Sequence, residues 1–72
     1  RKMTDYHINV FYSDEDGGYI ADIPDLPGCS AFGRTPQAAV EQVLVARHAW
    51  VEAALAEGLP VPQPHYRAAP AG

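Results

Sequence analysis

Seventy-two residues with a net charge of −4 and 47% apolar content allow one domain at most, of ordinary globular composition, burying only about 60% of its unfolded surface. No apolar run approaches the roughly 20 residues of a membrane span, and no hydrophobic segment follows Arg1-Lys2-Met3-Thr4-Asp5 as a secretory signal would require. The single cysteine, Cys29, cannot staple the chain internally, so a cytoplasmic protein stabilised by close packing or self-association is expected.

In chain order, Tyr6, Ile8, Val10 and Tyr12 alternate with His7, Asn9 and Phe11, the period-two pattern of a strand rich in aromatic and β-branched residues. Ser13-Asp14-Glu15-Asp16-Gly17-Gly18 then supplies a hairpin loop. A returning strand over 19–23 places Tyr19, Ala21 and Ile23 on one face and Ile20 and Asp22 on the other. Pro24 ends the pairing because it lacks a backbone donor. Asp25-Leu26-Pro27-Gly28 reads as a turn, 29–32 as a short third strand, and Gly33 closes it.

Thr35-Pro36 opens a helix of about 23 residues, with Thr as N-cap and Pro at the first helical position. Gln37, Glu41, His48 and Glu52 share the face expected to meet water. Ala39, Val43, Ala46, Trp50 and Ala54 form the stripe expected to lie on the sheet. Gly58 suits the helix exit. Pro60, Pro62, Pro64 and Pro70 make the remainder an extended tail, with Val61 packing and 65–67 offering a short fourth strand. The expected fold is α+β: a three-stranded antiparallel sheet covered on one face by one long helix, in the order β-β-β-α. It forms a single domain over 1–72, with an ordered core at about 4–64 and a flexible tail at 65–72.

One helix covers one face of such a sheet. If Tyr6, Ile8, Val10 and Tyr12 face it, then Phe11, Ile20 and Phe32 point away and form an apolar contact surface. On the helix, Val40, Leu44, Val51 and Leu55 flank the core stripe, and not all of them can be buried. Phe11, Ile20, Phe32, Leu44, Val51 and Leu55 are therefore the candidate interface of a homodimer or larger assembly.

Charge placement adds a second candidate surface. Residues 3–33 carry Asp5, Asp14, Glu15, Asp16, Asp22 and Asp25 and no Lys or Arg. Such a surface repels a phosphate backbone and attracts a basic protein, although the same acids also keep a small protein soluble.

Catalysis has weak support. The acids cluster in a loop and at strand ends. Asp14-Glu15-Asp16-Gly17 lacks the ligand spacing and distal Glu of a calcium loop. His7, His48 and His65 lie on different elements with no metal-ligand spacing to Cys29. No catalytic residue, metal or cofactor is expected.

The stretch EDGGYIADIPDLPGCSAFGRTPQAA resembles the N-terminal domain of HicB-type antitoxins. The matching pieces are Glu15-Asp16-Gly17-Gly18-Tyr19, Ile23-Pro24-Asp25-Leu26-Pro27-Gly28-Cys29, Gly33-Arg34-Thr35-Pro36 and Ala39, with EGLPVPQP at 57–64 resembling the family's helix exit. The resemblance covers about residues 6–64, and its specificity lies in the order and spacing of these pieces together. It implies a partial ribonuclease-H-like fold and an antitoxin that sequesters a HicA-like toxin, a small basic protein that cuts messenger RNA. Asp14, Glu15, Asp16, Asp22 and Asp25 are then the candidate toxin-steering residues. Family members often carry a C-terminal DNA-binding domain. This chain ends at Gly72, so direct DNA binding is not expected of it. It also departs from the family at Gln37 and Ala38, often acidic there, at Arg47, often apolar, and at Leu44 and Val45, often charged. The alternative is a stand-alone, self-assembling HicB-like domain with another protein or small-ligand partner and no toxin.

Overall fold

The computed structural model describes residues 6–65. Three strands, β1 (Asn9–Ser13), β2 (Gly18–Asp22) and β3 (Ser30–Gly33), precede one helix, α1 (Pro36–Ala56). The sheet is an antiparallel meander in the order β1-β2-β3. Each strand begins and ends within a few residues of the span expected from the alternation. No fourth strand appears among the described residues; of the segment expected to form one, 66 and 67 lie outside them, as does most of the tail expected at 65–72.

The β1–β2 hairpin pairs Ser13 with Gly18 around a loop at 14–17. Gly17, at φ 70°, takes the left-handed conformation that L side chains resist, and its N–H donates to Ser13 O at 2.9 Å. The Ser13 hydroxyl donates to Asp16 Oδ2 at 2.8 Å. Gly18, expected to belong to the hairpin loop, is instead a buried strand residue. A Cβ there would fall 2.5 Å from Phe32 Cζ, so Gly18 is needed for space rather than for backbone freedom.

The segment 23–29 is a closed loop. Ile23 N–H donates to Cys29 O at 3.0 Å, Leu26 N–H to Ile23 O at 3.0 Å and Cys29 N–H to Leu26 O at 2.9 Å. These bonds satisfy backbone groups that the Pro24 and Pro27 interruptions take out of the sheet, and they turn Leu26 fully inward.

Helix α1 starts as its sequence directs: the Thr35 hydroxyl accepts the Ala38 N–H at 3.0 Å, with Pro36 in the first turn. It ends in a Schellman arrangement: Gly58 N–H reaches Leu55 O at 3.2 Å and Leu59 N–H reaches Ala54 O at 2.8 Å. Ala39, Val43 and Ala54 are buried, with Ala46 and Trp50 packed on the same core, as the stripe predicts. Gln37, Glu41, His48 and Glu52 are exposed. The core comprises Ala39 and Val43 of the helix with Tyr6, Ala21, Ile23, Leu26 and Cys29.

One expectation needs correction. Tyr6, Ile8, Val10 and Tyr12 share the helix side of the sheet, but only Tyr6 is buried and Ile8 half-buried. Val10 is 38% exposed and Tyr12 55%. The helix lies chiefly over β3 and β2 and reaches little of β1. The cause is the backbone contact at Gly33, where a Cβ would meet Ala39 N at 2.2 Å: glycine and alanine draw the helix down onto β3, and β1 is left outside its roof.

Candidate functional site

The face of the sheet turned away from α1 is organised in cross-strand rows. Phe11 pairs with Ile20 and Ile20 with Phe32. Because side chains alternate across a strand, the three form one apolar row spanning all three strands. Phe11 is 50% exposed and Phe32 42%; Ile20 between them is half-buried. No helix or loop of the described residues lies over the row, so these three candidate interface residues are brought together as the alternation predicted. The next row on this face is polar: Asn9 pairs with Asp22 and Asp22 with Ser30. A shallow hollow of about 390 Å³ opens beside Phe11, Ile20 and Asp22, walled by Pro24, Pro27 and Cys29.

The helical candidates do not join this row. Leu44 and Leu55 are exposed and Val51 half-buried, and all three belong to α1, on the opposite side of the sheet. The six residues expected to form one interface are thus divided between two surfaces.

The acids are divided as well. Asp14, Glu15 and Asp16 are exposed together at the hairpin tip. Asp22 closes β2 at the other end, roughly 13 Å from Gly18 at about 3.3 Å per residue and farther from the tip, and Asp25 sits in the loop beyond it. Both are half-buried, and Asp25 Oδ2 accepts the His65 N–H at 3.2 Å. The apolar row runs across the strands, and the carboxylates therefore lie on either side of it, the tip acids toward one end of the strands and Asp22 toward the other.

Two tertiary ties hold the loop end in place, and sequence reasoning found neither. Trp50 Nε1–H donates to Pro27 O at 2.9 Å, fixing the 23–29 loop to the helix. The Tyr6 hydroxyl donates to Pro62 O, which folds the segment after the helix back onto the start of the sheet; Val61 is half-buried there, as expected. The only sequence signal for these ties was the presence of two large side chains with a polar tip.

Burial pushes the Cys29 thiol up from its ordinary 9.0, with Arg47 opposing and Asp22 adding to the rise. Burial likewise raises the Tyr6 phenol, with Asp25 adding and Arg47 opposing. A raised thiol is the reverse of an activated nucleophile. No group of three or more His, Cys, Asp or Glu that could hold a metal ion occurs among the described residues, and none of their helices is long and apolar enough to cross a membrane.

A three-stranded meander roofed on one side by a single helix, its other side bearing a cross-strand apolar row between acidic strand ends, defines a small α+β domain with an open sheet face. The chain belongs to the HicB-like antitoxins of bacterial toxin–antitoxin systems, whose family profile matches residues 6–69. It is 38% identical over 45 residues to a UPF0150 protein of Synechocystis sp., covering 62% of each chain. It is 37% identical over 59 residues to a second UPF0150 protein of that organism, covering 81% of this chain and 75% of the relative. A UPF0150 protein of Thermoplasma acidophilum is 37% identical over 43 residues, 60% of this chain and 62% of the relative. The match thus spans about three-fifths of the length of two of these relatives. No solved structure matches significantly.

Proposed function

We propose that this chain is the inhibitory partner of a small basic, HicA-like RNA-cleaving toxin, and that it holds the toxin on the open face of its sheet. Membership of the antitoxin family supplies the class of function. The observation that carries the location is the Phe11–Ile20–Phe32 row, bare across three strands, with Asp14, Glu15 and Asp16 toward the hairpin end of the strands and Asp22 toward the opposite end. A toxin that cleaves RNA needs a cationic surface, and carboxylates on either side of an apolar strip match such a surface by charge and by desolvation of the centre. The acids act mainly on the association rate, and the row supplies the buried contact. The chain itself carries out no chemistry in this reading; the raised Cys29 thiol agrees with that.

Co-expression with the product of the neighbouring gene tests the proposal. The expected outcome is co-purification of a small basic protein, with rescue of cells that express it. Phe32→Lys, which sets a cation against a cationic partner at an exposed position, should abolish rescue while leaving the far-ultraviolet spectrum unchanged. Rescue that survives Phe32→Lys would move the toxin to another face. Failure to bind any neighbouring basic protein would favour a toxin-free, self-assembling domain.

A further inference from the structure

We propose that the hollow at the loop end of the far face is an anchoring pocket for one arginine of the toxin. Its apolar walls take the side-chain stem, and Asp22 takes the guanidinium. The inference rests on the toxin reading and assigns a single contact within it.

The hollow, about 390 Å³ in volume, is lined by Phe11, Ile20, Pro24 and Pro27 together with Asp22 and Ser30. Ligand pockets run from about 300 to 1,000 Å³, so this one has room for a single side chain rather than a large ligand. Its chemistry is two-sided. Phe11 and Ile20 are partners in the apolar cross-strand row, and Asp22 and Ser30 are partners in the polar row beside it. A side chain with an apolar stem and a cationic tip satisfies both halves at once. Lysine and arginine have that form, and three features select arginine. Exposed Phe11 brings an aromatic ring, on which a planar guanidinium stacks. The Asp22 carboxylate can accept two parallel N–H bonds from the guanidinium fork, which leaves further donors for the Ser30 hydroxyl. A guanidinium is also more weakly hydrated than an ammonium, so it is brought against apolar walls at lower cost.

The pocket is shaped before a partner arrives. Its loop wall is closed by the Ile23–Cys29, Leu26–Ile23 and Cys29–Leu26 backbone bonds. The Trp50–Pro27 bond ties that wall to the helix, and the Asp25–His65 bond ties it to the segment after the helix. Little ordering therefore remains to offset the contact when it forms. The acids of this end have separate tasks: Asp25 holds the wall and Asp22 lines the hollow. Asp22 also differs from the exposed acids of the hairpin tip. A half-buried carboxylate paired with a guanidinium in an apolar hollow governs dissociation, whereas rim charges govern encounter.

Two measurements test the pocket. In the first, the whole chain is titrated with N-acetyl-arginine amide at fixed ionic strength and followed by amide chemical shifts. Shifts at Asp22, Leu26, Cys29 and Ser30 should saturate with a dissociation constant on the order of 10 mM. They should be several-fold weaker with N-acetyl-lysine amide and absent in Asp22→Asn. No shift up to about 100 mM, or shifts indifferent to Asp22→Asn, overturn the proposal. Arg67 lies outside the described residues, two positions past the His65–Asp25 bond, and is the rival occupant. Binding that appears only in Arg67→Ala assigns the hollow to the chain's own arginine and overturns the proposal too. In the second, the complex with the neighbouring gene's product is measured by stopped flow. Asp22→Asn should weaken it about 30-fold, chiefly through faster dissociation, with the loss persisting at about 0.5 M salt. When the partner's arginines are exchanged for alanine singly, one should couple to Asp22→Asn, the pair weakening binding little more than either alone. Absence of any coupled arginine, or an Asp22→Asn effect confined to association and erased by salt, overturns the pocket. A complex lost in Phe32→Lys but indifferent to Asp22→Asn leaves the toxin reading standing and removes this inference alone. A chain that binds no basic partner overturns both.

Discussion

At the scale of single residues, two glycines matter for the space they leave. Gly33 lets the helix backbone reach β3: an added Cβ would sit 2.2 Å from Ala39 N and 2.6 Å from Ala38 C, and main chain cannot step aside. Gly18 faces chiefly the tip of the Phe32 ring, which can swing away, and an added Cβ would approach main chain less severely, at 2.9 Å from Gly33 O. Gly33→Ala should therefore cost about 3 kcal/mol or more and Gly18→Ala about 1 kcal/mol, an order that urea titration of the two variants would check; the reverse order would refute this reading of the contacts. The Cys29 thiol and Tyr6 phenol also make a joint prediction. Both are acids whose neutral forms are favoured by burial, so the folded state holds their protons more tightly than the unfolded state does. Their contribution to stability is fully present below the ordinary values of 9.0 and 10.0 and is lost as pH rises through the raised ones. The melting temperature followed by circular dichroism should be level from neutral pH to about 9 and then decline; a melt unchanged up to about pH 11 would contradict the assignment.

At the scale of elements, the helix has a complete cap at each end and an unused electrostatic opportunity. Its first turn has no acid and its last turn no base, so the macrodipole is uncompensated. Gln37→Glu, at an exposed position, should stabilise the chain by about 0.3–1 kcal/mol at low salt, with the gain shrinking as salt is added. Thr35→Ala removes the acceptor for the Ala38 N–H and should cost about 1 kcal/mol. The closed loop at 23–29 depends on the helix in a different way. Its internal hydrogen bonds set its shape, and the Trp50–Pro27 bond sets its position. Trp50→Phe keeps most of the buried ring area and loses that bond, so it should cost about 1 kcal/mol and speed amide exchange in the loop more than in the sheet. Uniform acceleration across the chain would mean that the bond is not a local tie.

At the scale of the whole molecule, one long helix on a narrow sheet leaves two kinds of bare surface. The far face lacks any cover because the described chain has a single helix to give. The β1 side is bare because Gly33 and Ala39 pull that helix toward β3. Acids placed at both ends of the far face make its encounters sensitive to salt. With a basic partner, neutralising Asp14, Glu15 and Asp16 together should slow association by roughly tenfold at low salt and change dissociation little, and the difference should fade above about 0.5 M salt. Stopped-flow association of the purified pair would measure it, and an equal change in both rates would place these acids inside the contact.

The sequence by itself determined the parts whose physics is local. Alternation in 6–12 and 19–23, the Asp16-Gly17 turn, the Thr35 cap, the Gly58 exit and the Ala39–Val43–Ala54 stripe depend on neighbours a few residues away, and each appears where its pattern places it. The facing of Phe11, Ile20 and Phe32 was legible for the same reason, since a period of two fixes the face of every residue on a strand. Tertiary structure alone decided which of them stand in one row, because the register of β3 depends on how 23–29 folds back. It also decided that Val10 and Tyr12 escape the helix, that the acids split into two groups, and that Leu44, Val51 and Leu55 lie on the opposite side from the Phe row. Those outcomes turn on where a rigid helix settles on a sheet. That position is set by close backbone approach at Gly33 and by the Trp50 tie, contacts between residues far apart in the chain that no local pattern encodes.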